Sequence, residues 1–357
     1  MNGNLKVRCS GGSHQSHQSH QSQRARHPHR SRWSVGAALL LAGALSSLAG
    51  SPATAADYPT KPIQVLIPFA TGGATQALSE RVGVEMGKEL GQPLVGDYRG
   101  GAGGTIAAEA AARATPDGYT LFMGATGALA VAPAVSKVAR YNAATDFQGV
   151  ALIATTPYVL VINSKFPVRT LKELIEYARA NPGKLNFASS GTGGADHIAG
   201  EILQKMANFS MTHVPYKGAG PYLQDLLAGR IDVAIISPIP IRAMIEAGRV
   251  RALGVTTPHR SQAPFLKDIP TIAEEGVTGY NITAWYGYLV PARTPADVVN
   301  RLAGAAAKAI NLPANRDWLL SQGLSPGTLS PAEFTGFVAA ESKKWGDFAK
   351  QLNIQVE

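Results

Sequence analysis

From position 58 onward, short apolar runs rich in β-branched residues alternate with stretches whose apolar positions recur every three or four residues. Ile63 to Pro68 predicts a strand, and Leu78, Val82, Met86 and Leu90 then place four apolar side chains on one face of a helix. Further strands are predicted at Leu94 to Asp97, Thr120 to Met123, Val159 to Ile162, Asn186 to Ala188, Met211 to Val214, Val233 to Ile236 and Ala252 to Val255, each bounded by turn residues. Strands alternating with helices argue for an α/β protein with mostly parallel sheets.

Helix starts are written into the chain as capping boxes: Thr170 with Glu173, Thr271 with Glu274, and Ser330-Pro331 with Glu333. Thr294-Pro295-Ala296-Asp297 is a weaker version, and Ala332 to Leu352 reads as an amphipathic terminal helix. About 300 residues of such pattern exceed what one core usually holds, so two lobes are expected.

Composition changes the picture mainly at the amino end. The 357 residues carry a net charge of +9, which suggests a nucleic-acid or membrane-surface partner until its position is read. Lys6, Arg8, Arg24, Arg26, Arg30 and Arg32 all precede position 57, with no acidic residue among them; the remainder holds 27 basic against 24 acidic residues, only +3. The basic stretch leads into an apolar run from Val35 to Ala49 and then into Ala53-Thr54-Ala55-Ala56, the layout of an export signal cut after Ala55 or one residue later. That run of about 15 residues is shorter than the roughly 20 of a membrane span. An exported, periplasmic protein is expected, with the one cysteine, Cys9, removed with the leader.

Four glycine-rich segments stand where a strand should hand over to a helix: Phe69 to Thr75, Gly124 to Gly127, Ser189 to Gly194 and Tyr216 to Gly220. Glycine lets successive N–H groups point at one place, and a helix start adds about half a positive charge, so each could receive an anion. Each could equally be a tight turn that needs glycine for steric reasons, and only convergence would make a carboxylate or phosphate site. Other chemistry fits poorly. There is no GxxxxGK[ST], and Gly100 to Gly104 has Ile106 where a dinucleotide fingerprint needs glycine. No GxSxG elbow occurs, leaving Ser190 with His197 as the only weak hydrolase pairing. After the leader the histidines are His197, His213 and His259, without metal-ligand spacing. The alternating aromatics Trp285, Tyr286 and Tyr288 read as packing, with a ligand wall as the lesser alternative.

Tyr58-Pro59-Thr60-Lys61-Pro62-Ile63, Phe69-Ala70-Thr71-Gly72-Gly73 and Arg99-Gly100-Gly101-Ala102-Gly103-Gly104 are similar to the extracytoplasmic solute receptors of tripartite tricarboxylate transporters, also called Bug receptors. The likeness continues through Pro116 to Leu121, Ala180 to Leu185, His213 to Gly218, Arg251 to Leu253 and Asp268 to Thr271, in the family's order. It implies a type II periplasmic binding protein: two α/β lobes joined by two crossing strands, near Ala154 to Leu160 and Thr283 to Val290, closing over a small carboxylate. The lobes would be 56–156 with 284–357, and 157–283, after a leader at 1–55. The resemblance carries ligand binding to Phe69, Gly72, Gly73 and Thr75, to Ala125, Thr126 and Gly127, to Ser189, Ser190, Gly191 and Thr192, and to Tyr216 and Lys217. No cofactor, metal, nucleic acid or chemical step is implied.

Two departures bear on the ligand. Gln76 stands where an aspartate often follows the first loop's threonine, and Ile236 where a strand often ends in aspartate; Ala195 replaces a common serine. With those two anionic contacts absent, a ligand ammonium loses its partner. The expected ligand is an amine-free mono- or dicarboxylate, aromatic acids included, delivered by a monomeric receptor to inner-membrane transporter subunits. The alternatives are a hydrolase using Ser190 and His197, or a ligand receptor for a sensor kinase.

Overall fold

The computed structural model describes residues 58–351 and 353–355, so the predicted leader and Cys9 lie outside the described residues. In chain order the elements are β1 (Ile63–Ile67), α1 (Ala74–Leu90), β2 (Leu94–Tyr98), α2 (Thr105–Ala112), β3 (Thr120–Ala125), α3 (Ala132–Val135), β4 (Phe147–Pro157), β5 (Val159–Asn163), α4 (Leu171–Ala180) and β6 (Asn186–Ser189). They continue as α5 (Ala195–Ala207), β7 (Thr212–Pro215), α6 (Ala219–Ala228), β8 (Val233–Ile236), α7 (Pro238–Glu246), β9 (Val250–Val255), β10 (Thr283–Pro291), α8 (Ala296–Asn311), α9 (Pro313–Ser321), β11 (Ser325–Pro326) and α10 (Pro331–Gln351).

These strands form two sheets, one ordered β11-β4-β10-β3-β1-β2 and the other β7-β6-β8-β5-β9. The fold is α/β as expected, but each sheet is mixed rather than mostly parallel. β1 lies parallel to β2 and β3, whereas β10 runs antiparallel to β3 and β4. In the second sheet β6 is parallel to β7 and β8, whereas β5 is antiparallel to β8 and β9. The antiparallel pairs come from the strands that carry the chain between sheets, which enter from the opposite end.

The predicted helix face is buried: Leu78, Val82, Met86 and Leu90 of α1 are each at most 5% exposed. The Ser330–Glu333 box starts α10, with the Ser330 amide donating to the Glu333 carboxylate and the Glu333 amide to Ser330 Oγ. Thr170 caps α4 by accepting from the Glu173 amide. The Thr271–Glu274 box also forms, at 2.7 and 3.0 Å, yet a run of turns follows it instead of a helix. Gly276 and Gly279, both at positive φ, break the segment before a second helical turn can form.

The chain leaves the first sheet at the end of β4 and enters the second through the single residue Tyr158; it returns between Thr256 and Ile282. The first crossing falls where expected, whereas the predicted second one, Thr283 to Val290, lies wholly inside the first sheet as β10. Fully buried Thr256 ties both crossings together: its amide donates to the Tyr158 carbonyl, its Oγ1 accepts from the Tyr158 amide and donates to the Ile282 carbonyl, and its own carbonyl accepts from the Ile282 amide. A rotation of one sheet against the other must therefore pivot close to Thr256.

Candidate functional site

The carboxyl ends of β1, β3, β6, β7 and β8 deliver their loops to one cleft with a cavity of about 50 Å³. Ligands of open α/β sheets bind at this edge. Four helices start at the cavity: α1 after Gly73, α5 after Gly194, α6 after Gly218 and α7 after Ser237. None of these four N-cap residues caps its helix through a side chain. Positive helix ends thus converge on the space, each worth about 0.3–1 kcal/mol toward an anion.

Of the residues expected to bind, Phe69, Gly73, Thr75, Ala125, Gly127, Ser190 and Ile236 line the cavity. The others take different positions. Gln76 Oε1 accepts from the Gly72 amide at 2.6 Å and its Nε2 donates to Glu80, which holds the first loop rather than facing the cavity. Thr126 accepts from the Trp285 amide at 2.8 Å, pinning β3 to β10. Tyr216 donates to Asp225 at 2.6 Å, and burial with that carboxylate pushes its phenol up to about 12.

Gly72, Gly191, Thr192 and Lys217 serve the seam between the sheets. The Ala70 amide donates to the Lys217 carbonyl at 2.9 Å. A Cβ on Gly72 would stand 2.8 Å from Gly220 Cα, and one on Gly220 would overlap the Thr71 carbonyl oxygen. On the other side of the cavity, a Cβ on Gly103 would meet Gly193, Gly194 and the Thr192 carbonyl within 2.9 Å, and one on Gly191 would meet the Gly103 amide. These glycines thus let backbone meet backbone from opposite sheets, the close approach that any side chain would forbid.

Residues not anticipated complete the wall: Tyr158 at the crossing, Asp196, Tyr222, Ser237 and Tyr286. Ser237-Pro238 is a legible helix start, and Tyr286 belongs to the aromatic run, where the lesser ligand-wall reading holds for this one residue. Trp285 instead packs edge-on against Phe334, and Tyr288 donates to Ser79. Burial pushes the Tyr286 phenol up to about 12 and those of Tyr158 and Tyr222 well above the ordinary value, so all three stay protonated donors. The buried Ser237 hydroxyl lies beside the Tyr286 phenol on the cavity wall. Among the described residues, no lysine, arginine or histidine lines the cavity.

Asp196 is 4% exposed and draws three donors from its own loop: the Ser190 amide at 2.7 Å, Ser190 Oγ at 2.8 Å and the His197 amide at 3.0 Å. Burial outweighs those donors and pushes its carboxyl up to about 6. The hydrolase pairing therefore has no geometry, because Ser190 Oγ is committed to Asp196 and His197 Nδ1 accepts from the Gly193 amide. His197 stacks on His213 at 3.8 Å between ring centroids, and His213 Nε2 lies 2.6 Å from the buried Ser189 Oγ.

Burial pushes His197 down to about 3 and His213 down to about 4, His197 being lowered further by its neighbour. The unfolded chain consequently binds more protons than the folded one as pH falls below the ordinary histidine value of 6.5. The pair's stabilising contribution is full above that value and is lost as pH falls toward about 4. In NMR titrations both rings are expected to keep the neutral-form chemical shift down to about pH 5; a midpoint near 6.5 for either ring would contradict their burial.

Residues 79–354 match the tripartite tricarboxylate transporter family receptor. The chain belongs to that family. A UPF0065 protein from the tcbD-tcbE intergenic region of Pseudomonas sp. strain P51 is 38% identical over 289 residues, 81% of this chain and 85% of its own. Among solved structures, the periplasmic binding protein BugD superposes with a TM-score of 0.80 at 29% identity, over 84% of this chain and 100% of its own. An R. palustris protein solved with adipate superposes with a TM-score of 0.79 at 35% identity, over 84% and 99%. The family's members are solute-binding receptors and not enzymes, and this receptor shares their two-sheet fold.

Proposed function

We propose that this receptor captures a small organic carboxylate, an amine-free mono- or dicarboxylate, in the cleft between its sheets and delivers it to a tripartite membrane transporter from the periplasm. The observation that carries this reading is the convergence of four helix starts without side-chain caps on one cavity lined, among the described residues, by no basic side chain. Helix dipoles, amides and phenols suit a carboxylate there, held by preorganised neutral donors rather than by a counter-ion. The adipate in the R. palustris neighbour supports this ligand class.

Gln76 and Ile236 support the absence of an amine, since neither offers a charge. In this reading Phe69, Gly73, Thr75, Ala125, Gly127, Ser190 and Ile236 contact the ligand together with Tyr158, Tyr222, Ser237 and Tyr286. On the same reading one lobe is built on residues 58–157 and 283–351 and the other on residues 158–282. The test is uptake of labelled adipate by cells with and without the gene: loss of uptake restored by the wild-type gene supports delivery to a transporter. Unchanged uptake alongside lost adipate-dependent transcription would assign the receptor to signalling instead.

A further inference from the structure

The cavity sets a carboxylate beside the place where a second one is to bind. Asp196 lines it, and the groups facing Asp196 are all neutral: the Ser190 hydroxyl from its own loop, Tyr158 from the crossing, Tyr222 from α6 and Tyr286 from β10. On its own helix the His197 ring turns to the Gly193 amide and the neighbouring His213, and Glu201 lies 3.8 Å from His197 Nε2. A carboxylate seated against these walls has Asp196 beside it. Two ionised carboxylates in such a space repel strongly, and one of them must take a proton.

We propose that the receptor binds its carboxylate together with one proton, which Asp196 takes from water and donates to the ligand. This rests on the reading of the cavity as a carboxylate site. Oδ1 already accepts from Ser190 Oγ and the His197 amide, whereas Oδ2 accepts only from the Ser190 amide, so Oδ2 has the lone pair that receives the proton. The carboxyl of Asp196 is poised near neutrality before ligand arrives, so little free energy is needed to protonate it. Retention of the ligand consequently strengthens in acid.

Calorimetric titration with adipate, malate and glutamate between pH 5.5 and 8 tests this, on wild type and on Asp196→Asn, each pH in two buffers of different ionisation heat. Affinity for an amine-free acid is expected to rise up to about tenfold per pH unit from pH 8 toward 6, with proton uptake, and to level off below about 6. Asp196→Asn, neutral at every pH and still able to donate, should bind independently of pH and at least as tightly as wild type at pH 8. Thermal unfolding verifies that the variant is folded, and Asp196→Ser provides a second neutral replacement. Wild-type affinity that is flat with pH, or a pH dependence that survives in both variants, would overturn the proposal alone. Glutamate binding tightest and being lost in Asp196→Asn would overturn it by assigning Asp196 to an ammonium. No binding of any acid at any pH would sink the carboxylate reading and the proposal with it.

Discussion

Gly220→Ala is expected to leave the free receptor at least as stable as wild type while weakening its grip on adipate. Gly220 sits in the first turn of α6 with an ordinary helical backbone, where alanine is favoured over glycine by about 1 kcal/mol. The new methyl would overlap the Thr71 carbonyl oxygen of the loop after β1. Relieving such overpacking costs about 1–3 kcal/mol, and here it is relieved by keeping the cleft ajar. Since affinity scales with the population able to close, a loss of roughly 5- to 150-fold is expected. Gly304→Ala, whose methyl would meet nothing within 4 Å, is the control. Calorimetry with adipate decides the matter, and wild-type affinity in Gly220→Ala would show that the seam plays no part in capture.

Phe334→Ala should be the most damaging single truncation away from the cavity. The ring, fully buried on α10, fills the space that two glycines on neighbouring strands leave open: a Cβ on Gly149 of β4 would lie 2.8 Å from it, and one on Gly287 of β10 would overlap it. It also meets Trp285 edge-on at 5.8 Å. No flexible side chain borders the hole on the glycine side, so collapse into it is restricted and a loss of about 3–5 kcal/mol is expected. Urea unfolding followed by tryptophan fluorescence measures it; a loss below about 1 kcal/mol would mean that α10 contributes little to the first sheet's stability.

Periodicity exposed the strands and the α1 face because those signals are local: Leu78, Val82, Met86 and Leu90 need only one helix to define them. Of β4 only the end is legible, as the crossing expected from Ala154, because Phe147 to Pro157 is buried along nearly its whole length and so lacks the alternation of a half-exposed strand. The glycine-rich loops were legible as candidates, but their division of labour was not. Gly73 and Gly127 line the cavity, while Gly72 and Gly191 mate with glycines more than 80 positions away. Tyr158 and Tyr222 reach the cavity through long-range packing that no spacing rule encodes, whereas Asp196 is placed there by its own loop at the start of α5. Gln76 and Ile236 leave two positions without a carboxylate, and the start of α5 supplies one from Asp196 instead.

A thermal-shift screen of the purified receptor against mono-, di- and tricarboxylates, aromatic acids and amino acids tests the central claim most directly. A ligand that binds only the native state raises its stability by RT ln(1 + [L]/Kd). The account predicts a saturable upward shift with at least one amine-free acid and no turnover of it, whereas shifts confined to amino acids would contradict it.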